Sequence, residues 1–341
     1  MIICLRGDRI KLSDDIRKKE VEIQILQKVF GENIVYEESE QPDFILKHGE
    51  NIQHGVEITE LYYDGTSARI KNEKYIKELF EKRRYWHKDD KRKIKINDVK
   101  YYAKEKGYQP IQIPVLFLPK YNMKDYGKSL KQTIESKNKK LEKYCSDISQ
   151  NCMLIIYDKE NPFEKINEKD IAKQLFTSDL LKVIRESDYQ EIYLVTGINS
   201  KSKYVPLKAY LLQSDFILFR EFIKDRNLIS KLEKTYNHPL LAFAEISLRR
   251  GGSVTFGTVD IGKDEKKLVA YHGMYGIGMT IFDDGNWGID IFDTYPLQNI
   301  PNTVEFKLEP STDFFDDDLY MEYEKMVQTQ IASTGLFFAT K

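Results

Sequence analysis

The sequence predicts an α/β protein, with a mixed sheet flanked by helices through about residue 200 and an α+β region with antiparallel strands after it. Two observations predict this. Up to that point short apolar runs alternate with amphipathic stretches, the pattern of strands and helices sharing one sheet. Over residues 241–296 the texture changes to frequent Gly, many aromatics and period-two alternation, as in Ser253-Val-Thr-Phe-Gly-Thr-Val-Asp. The expected domains are therefore 1–200 and 201–341, the second a sensor, regulatory or dimerisation module.

The elements follow in order. Ser13-Asp14-Asp15 caps a first helix with Ile16, Ile23, Leu26 and Phe30 at helical spacing, ended by Gly31. Three strands are expected at 33–37, 43–47 and 56–62, the last two forming a hairpin around a polar turn with Gly49. A charged stretch, 67–102, reads as mostly helical. Residues 111–118, containing Ile-Pro-Val-Leu-Phe-Leu, read as a buried strand of the sheet. A helix at 125–145 follows, then buried strands at 152–157 and 191–196 with a helix at 168–184 between them. Residues 206–236 read as helical, and a terminal helix is expected at about 317–333.

Composition narrows the class. At 341 residues and 41% hydrophobic, the chain can build real cores. A mean hydropathy of −0.53, and no run near the roughly 18 apolar residues a membrane span needs, argue against a membrane protein. The start, Met1-Ile-Ile-Cys-Leu-Arg-Gly, carries no signal-peptide pattern, and Cys4, Cys145 and Cys152 make neither a disulfide framework nor a zinc site, so a reducing cytoplasm is the expected location. The net charge of −1 hides an asymmetry: residues 66–143 carry 23 Lys/Arg against 10 Asp/Glu, and residues 151–341 carry 22 against 29. A basic segment either meets a polyanion or presents solvated helix faces.

The chemistry-bearing stretch is Pro42-Asp43-Phe44-Ile45-Leu46, then Gly55-Val56-Glu57-Ile58-Thr59-Glu60. On a strand alternate residues share a face, so Glu57 and Thr59 point one way, Val56 and Ile58 the other. An acid inside an apolar strand is costly unless it is paired or binds a metal. Two carboxylates converging from paired strands make an oxygen-rich site that suits Mg²⁺.

This segment resembles the active-site hairpin of the PD-(D/E)xK nuclease superfamily, the restriction-endonuclease-like fold. The family order is a helix, a hairpin bearing Pro-Asp and (Asp/Glu)-x-Lys, then helix, strand and helix. It matches here from about residue 12 to 160, a little under half of the chain. The resemblance implies a Mg²⁺- or Mn²⁺-dependent endonuclease, acting on DNA ahead of RNA. It implies Asp43 as the metal-binding aspartate and Glu57 as the second acidic ligand, with Glu20 or Glu22 adding a carboxylate from the first helix. The sequence departs from the pattern at Thr59, where the family has lysine. Threonine supplies no positive charge to the transition state. Either the lysine comes from elsewhere or the site is dead.

The helix at 125–145 offers the replacement. Leu130, Ile134, Lys137, Leu141 and Tyr144 fall on one face at spacings of four and three, and Lys137 is the one charged member. A lysine within an apolar stripe either has an acidic partner, serves a function, or snorkels to the surface. In members that this chain resembles the catalytic lysine is sometimes moved onto this helix, which implies Lys137, with Lys140 as the alternative. Asp43 and Glu57 would then hold the metal and Lys137 would orient the attacking water or stabilise the transition state. Lys82, Arg83, Arg84, Trp86, Lys91, Arg92, Lys93 and Lys140 are the candidate nucleic-acid contacts, through phosphate attraction and base stacking.

Other features carry less. His48 and His54 flank the hairpin turn and read as surface residues. Gly273-Met-Tyr-Gly-Ile-Gly lacks the spacing of a dinucleotide fingerprint, and Asp283-Asp-Gly-Asn lacks the rest of a calcium loop, so both read as tight β turns. Residues 313–318 read as a solvated loop or a helix N-terminus. By fold-level analogy a nuclease domain with an appendage resembles bacterial restriction or phage-defence effectors, with a homodimer or an activating partner or ligand at the second domain. The competing class is a nuclease-fold protein that binds nucleic acid or a partner without cleavage.

Overall fold

A computed structural model of the chain describes residues 14–48, 52–102, 110–118, 122–141, 143–144, 152–159, 175–196, 203–235, 239–249, 255–260, 266–272, 275–281, 287–293, 303–304 and 316–330. The chain forms two compact units, one of residues 1–19 and 62–129, the other of 20–61 and 130–341. The boundaries between these units fall after residues 19, 61 and 129.

The larger unit is mixed α/β. Its first sheet contains β1 (Tyr36–Glu38), β2 (Phe44–His48), β3 (Ile52–Glu60), β6 (Cys152–Asp158), β7 (Ile192–Thr196) and β8 (Lys203–Pro206), in the order β1-β2-β3-β6-β7-β8. The first three strands form an antiparallel meander, β6 and β7 run parallel to β3, and β8 returns antiparallel. Parallel strands covered on both faces read as continuous apolar runs, and Cys152–Asp158 is buried at every position.

Helix α1 (Asp14–Phe30) covers one face of that sheet. Its Ile25, Leu26, Val29 and Phe30 join Phe44, Val56 and Ile58 in one core. Each such side chain contributes roughly 1.5–3 kcal/mol by leaving water. Gly31 ends the helix with φ +99°, a left-handed conformation that glycine adopts without strain, and its N–H bonds back to the Gln27 carbonyl at 2.7 Å. On the other face, the predicted stripe of helix α5 (Met123–Leu141) is buried: Leu130, Ile134 and Leu141 are all under 4% exposed. Helix α6 (Ser178–Arg185), capped by the Thr177 hydroxyl on the Leu180 N–H, buries Leu180, Leu181 and Ile184. Within the expected 168–184, Phe176 and Thr177 are not helical, and the residues before 175 lie outside the described ones.

Residues beyond 200 continue this unit. Helix α7 (Leu207–Asp225) begins directly after β8, and the buried Glu191 carboxylate accepts from the Lys208 and Ala209 N–H groups at its N-terminus. Burial pushes the Glu191 carboxyl up to about 7 against those bonds. Helices α8 (Ile229–Thr235) and α9 (Pro239–Arg249) follow, so residues 241–249, expected in the β region, are helical. From there β9 (Thr255–Asp260), β10 (Lys266–His272), β11 (Tyr275–Ile281), β12 (Trp287–Asp293) and β13 (Thr303–Val304) form an antiparallel sheet ordered β12-β11-β10-β9-β13. Residues 273–274, 283–286 and 313–315 lie outside the described ones, whereas 275–278, expected within a tight turn, belong to β11. Helix α10 (Asp317–Gln330) starts at Asp316, whose carboxylate accepts from the Leu319 N–H at 2.9 Å, with Asp317 and Asp318 at the positive end of the helix. Its Tyr323 hydroxyl donates to the Asp215 carbonyl of α7 at 2.8 Å.

The smaller unit corrects one stretch of the sequence reading. Residues 67–102 form α2 (Gly65–Arg69), α3 (Glu73–Lys82), α4 (Lys88–Lys93) and a strand, β4 (Lys95–Tyr102). That strand pairs with β5 (Pro110–Phe117), so 111–118 belongs to a two-stranded ribbon and not to the main sheet. Alternation explains the error: Leu116 is buried while Phe117 is 46% exposed, a half-covered strand that an apolar run alone does not reveal. The unit's core holds Tyr75, Ile76, Leu79, Ile94 and Leu116. Its polar centre is Asp90, fully buried, which accepts from Arg69 through two nitrogens, from the Tyr75 hydroxyl at 2.6 Å and from the Thr66 hydroxyl at 2.8 Å. Burial alone would raise this carboxyl, but the bonds outweigh it and hold it at about 2.

No described helix is long and apolar enough to cross a membrane.

Candidate active site

The site is built on the β2–β3 hairpin. The register pairs Phe44 with Val56 and Ile45 with Gly55, so one further step sets Asp43 opposite Glu57. Phe44 and Val56 turn into the core beneath α1, which puts Asp43 and Glu57 on the opposite face. Asp43 follows a cis Gln41–Pro42 bond, and its Oδ2 accepts from the Ile58 N–H at 2.8 Å. One carboxylate is thus tied to the backbone of the strand that carries the other.

Glu57 is buried, at 6% exposure. Lys137 of α5 donates to its Oε1, and the Tyr144 hydroxyl donates to its Oε2 at 2.6 Å. Lys137 is the charged member of the apolar stripe, and its side chain is 13% exposed, so it does not snorkel into solvent. The ammonium neutralises the acid where both are largely removed from water. Tyr189, from the loop before β7, hydrogen-bonds with Tyr144, and its hydroxyl reaches the Lys137 carbonyl at 3.2 Å. Burial, then the bond to Glu57, raises the Tyr144 hydroxyl well above its ordinary value, so it remains a donor.

Asp43 feels the crowding. Burial and the Glu57 charge push its carboxyl up to about 6; the Ile58 N–H opposes them, Glu22 adds to the rise and Lys137 works against it. Glu22, on α1, is 3% exposed and close enough to act on Asp43, whereas Glu20 on the same helix is exposed. Of the two expected contributors from the first helix, the structure therefore brings Glu22 to the cluster and leaves Glu20 outside. Thr59 follows Glu57 on the same face, half-buried. Burial, then the Glu57 charge, pushes the neighbouring Cys152 thiol up to about 12, which removes it as a nucleophile.

The donor chemistry fits a hard divalent cation: Mg²⁺ is commonly held by one or two carboxylates plus waters and substrate phosphates. Among the described residues no group of three or more His, Cys, Asp or Glu side chains is arranged to hold a metal ion by itself. A cation here would rest on Asp43 and Glu57, with the remaining positions filled from outside the protein.

His54 corrects another expectation. It lies within β3, which starts at Ile52, and is 5% exposed rather than at the surface. The side chain of His48 lies outside the described ones.

The candidate nucleic-acid residues divide between the two units. All but Lys140 belong to the smaller unit. Lys82, Arg84, Lys91 and Arg92 are exposed. Arg83, at the left-handed end of α3, pairs with Asp98 at 2.7 Å, and Lys93 pairs with Asp64 at 2.5 Å. Trp86, 42% exposed, lies against Tyr75 with ring centroids 4.6 Å apart and donates to Glu78 at 2.8 Å. Lys140 is exposed on α5, one turn past Lys137. Sequence reasoning missed the Tyr144 hydroxyl and Tyr189. Tyr144 stands in the stripe, where periodicity marks it for packing; Tyr189 stands in a loop with no periodicity to mark it.

Comparison with protein-family models, with curated proteins and with solved structures found no match.

Proposed function

We propose that the chain is a divalent-metal-dependent endonuclease of the restriction-endonuclease-like kind, hydrolysing phosphodiester bonds in nucleic acid, DNA ahead of RNA. The observation that carries the reading is Lys137 on Glu57, with Asp43 opposite Glu57 in the register. It restores the charge that Thr59 lacks, from helix α5 rather than the same strand. Within the larger unit, the order helix, three-stranded meander, helix and parallel strand also supports it, with residues 62–129 inserted after the meander.

Asp43 and Glu57 would hold the ion, with Glu22 behind Asp43. A bound divalent ion supplies an acidified water and charge neutralisation at the phosphate. Asp43 is kept in place by the Ile58 N–H, and Glu57 by Tyr144. Lys137 presents an ammonium to the non-bridging oxygens as charge builds there. Water adds to phosphorus and the bridging oxygen departs with a proton, leaving one phosphate end and one hydroxyl end. The exposed Lys82, Arg84, Lys91 and Arg92 supply phosphate attraction.

The test is cleavage of plasmid and single-stranded DNA with Mg²⁺ or Mn²⁺, and with chelator, by the full chain and by Asp43→Ala, Glu57→Ala and Lys137→Ala. Metal-dependent cleavage is expected in the parent, reduced by about a hundred-fold or more in each variant. Loss in the first two only would remove Lys137 from the machinery. No cleavage by the parent with retained DNA binding would favour a second reading, a binding protein on a degenerate site. Its supporting observation is that Lys137 and Tyr144 engage both Glu57 oxygens.

A further inference from the structure

The two donors on Glu57 act differently on an arriving cation. A tyrosine hydroxyl orients a carboxylate and leaves its charge in place, whereas an ammonium cancels that charge. Lys137 rises from a buried stripe, between Ile134 and Leu141, and its side chain is 13% exposed. Its ammonium sits on an acid that is itself buried, at 6% exposure. A divalent ion held by Asp43 and Glu57 would meet that ammonium as a like charge beside the Glu57 carboxylate.

From this geometry we infer that Lys137 is a built-in counter-ion that occupies the cation position at Glu57, so that the free protein binds divalent metal weakly and neutralising residue 137 tightens that binding. The inference rests on the reading of Asp43 and Glu57 as the cation site, and it deepens that reading. It reverses the effect expected of a residue that only builds the site, since loss of such a residue weakens binding. The site thus holds a tethered monovalent cation in place of a free divalent one.

The test is Mn²⁺ binding to the full chain, followed by calorimetry and by the Mn²⁺ electron paramagnetic resonance signal, for the parent, Lys137→Gln, Lys137→Arg and Glu57→Gln. Lys137→Gln keeps a donor to Glu57 and removes the charge, and is expected to bind Mn²⁺ about ten-fold or more tightly than the parent. Lys137→Arg keeps the charge and is expected not to tighten binding; Glu57→Gln is expected to weaken it. Unchanged, weaker or undetectable Mn²⁺ binding by Lys137→Gln would overturn the inference, and so would equal tightening by Lys137→Arg. Tightened binding with no cleavage by the parent would sink the nuclease reading and leave the counter-ion standing. Cleavage by the parent with unchanged binding in Lys137→Gln would do the reverse.

Discussion

Asp43 is expected to cost the fold stability, and Asp43→Asn to return it in a pH-dependent way. Its carboxyl is raised from 3.8 to about 6 by burial and by the Glu57 charge. The folded state therefore holds this proton more tightly than the unfolded chain does, and stability falls as pH rises from about 4 through about 6. A shift of that size corresponds to roughly 3 kcal/mol once the group is ionised. Asp43 is half-buried, and solvent screening reduces the expected effect to about 1–2 kcal/mol. Asparagine keeps an acceptor for the Ile58 N–H, so the substitution removes mainly the charge. Urea denaturation of the parent and Asp43→Asn should show no difference at about pH 4, where the carboxyl is protonated, and a gain of about 1–2 kcal/mol for the variant at about pH 7.5. A variant less stable than the parent at the higher pH, or a difference that ignores pH, would refute the argument that Asp43 is held against charge repulsion. A gain would identify a residue that costs stability where it stands, as functional carboxylates do.

Other outcomes follow from the same contacts. Tyr144→Phe removes the buried hydroxyl from Glu57 Oε2 and should cost about 1–2 kcal/mol by urea denaturation; a change under about 0.5 kcal/mol would mean that the bond contributes nothing to the fold. In the smaller unit, Arg69→Ala leaves the buried Asp90 charge without its ion-pair partner and should cost about 3 kcal/mol. Because Asp90 is held down at about 2, its contribution should be full above about pH 4 and fade as pH falls towards 2, and a parent-minus-variant difference flat across that range would count against it.

Much of the candidate site was legible because it obeys short-range rules. The stripe Leu130, Ile134, Lys137, Leu141 is a statement about 3.6 residues per turn, and a buried lysine within it calls for an acid whatever the fold. Asp43 and Glu57 announced themselves as acids at the edge of and within apolar strands, and strand alternation put Val56 and Ile58 on the core side, where they lie. The ribbon, His54 and the Glu20–Glu22 choice were not legible. Each depends on which neighbour covers a given face. Apolar runs such as 111–118 look alike in a ribbon and a central strand, and His54 changed from turn to buried strand because β3 starts four residues earlier than its apolar pattern does.

The sequence by itself determined the alternation of elements, the face that each helix and strand would bury, and the acids and the lysine that those faces would have to accommodate, because periodicity and burial cost are local properties of the chain. Only the tertiary structure decided that Lys137 meets Glu57 across 80 residues of sequence, that Tyr144 and Tyr189 stand behind that pair, and that residues 62–129 form a unit apart from the strands on either side. Strand pairing sets those meetings. The parallel register of β3 with β6, and the helix laid across it, are chosen by how the whole core closes, and no stretch of the chain encodes that alone.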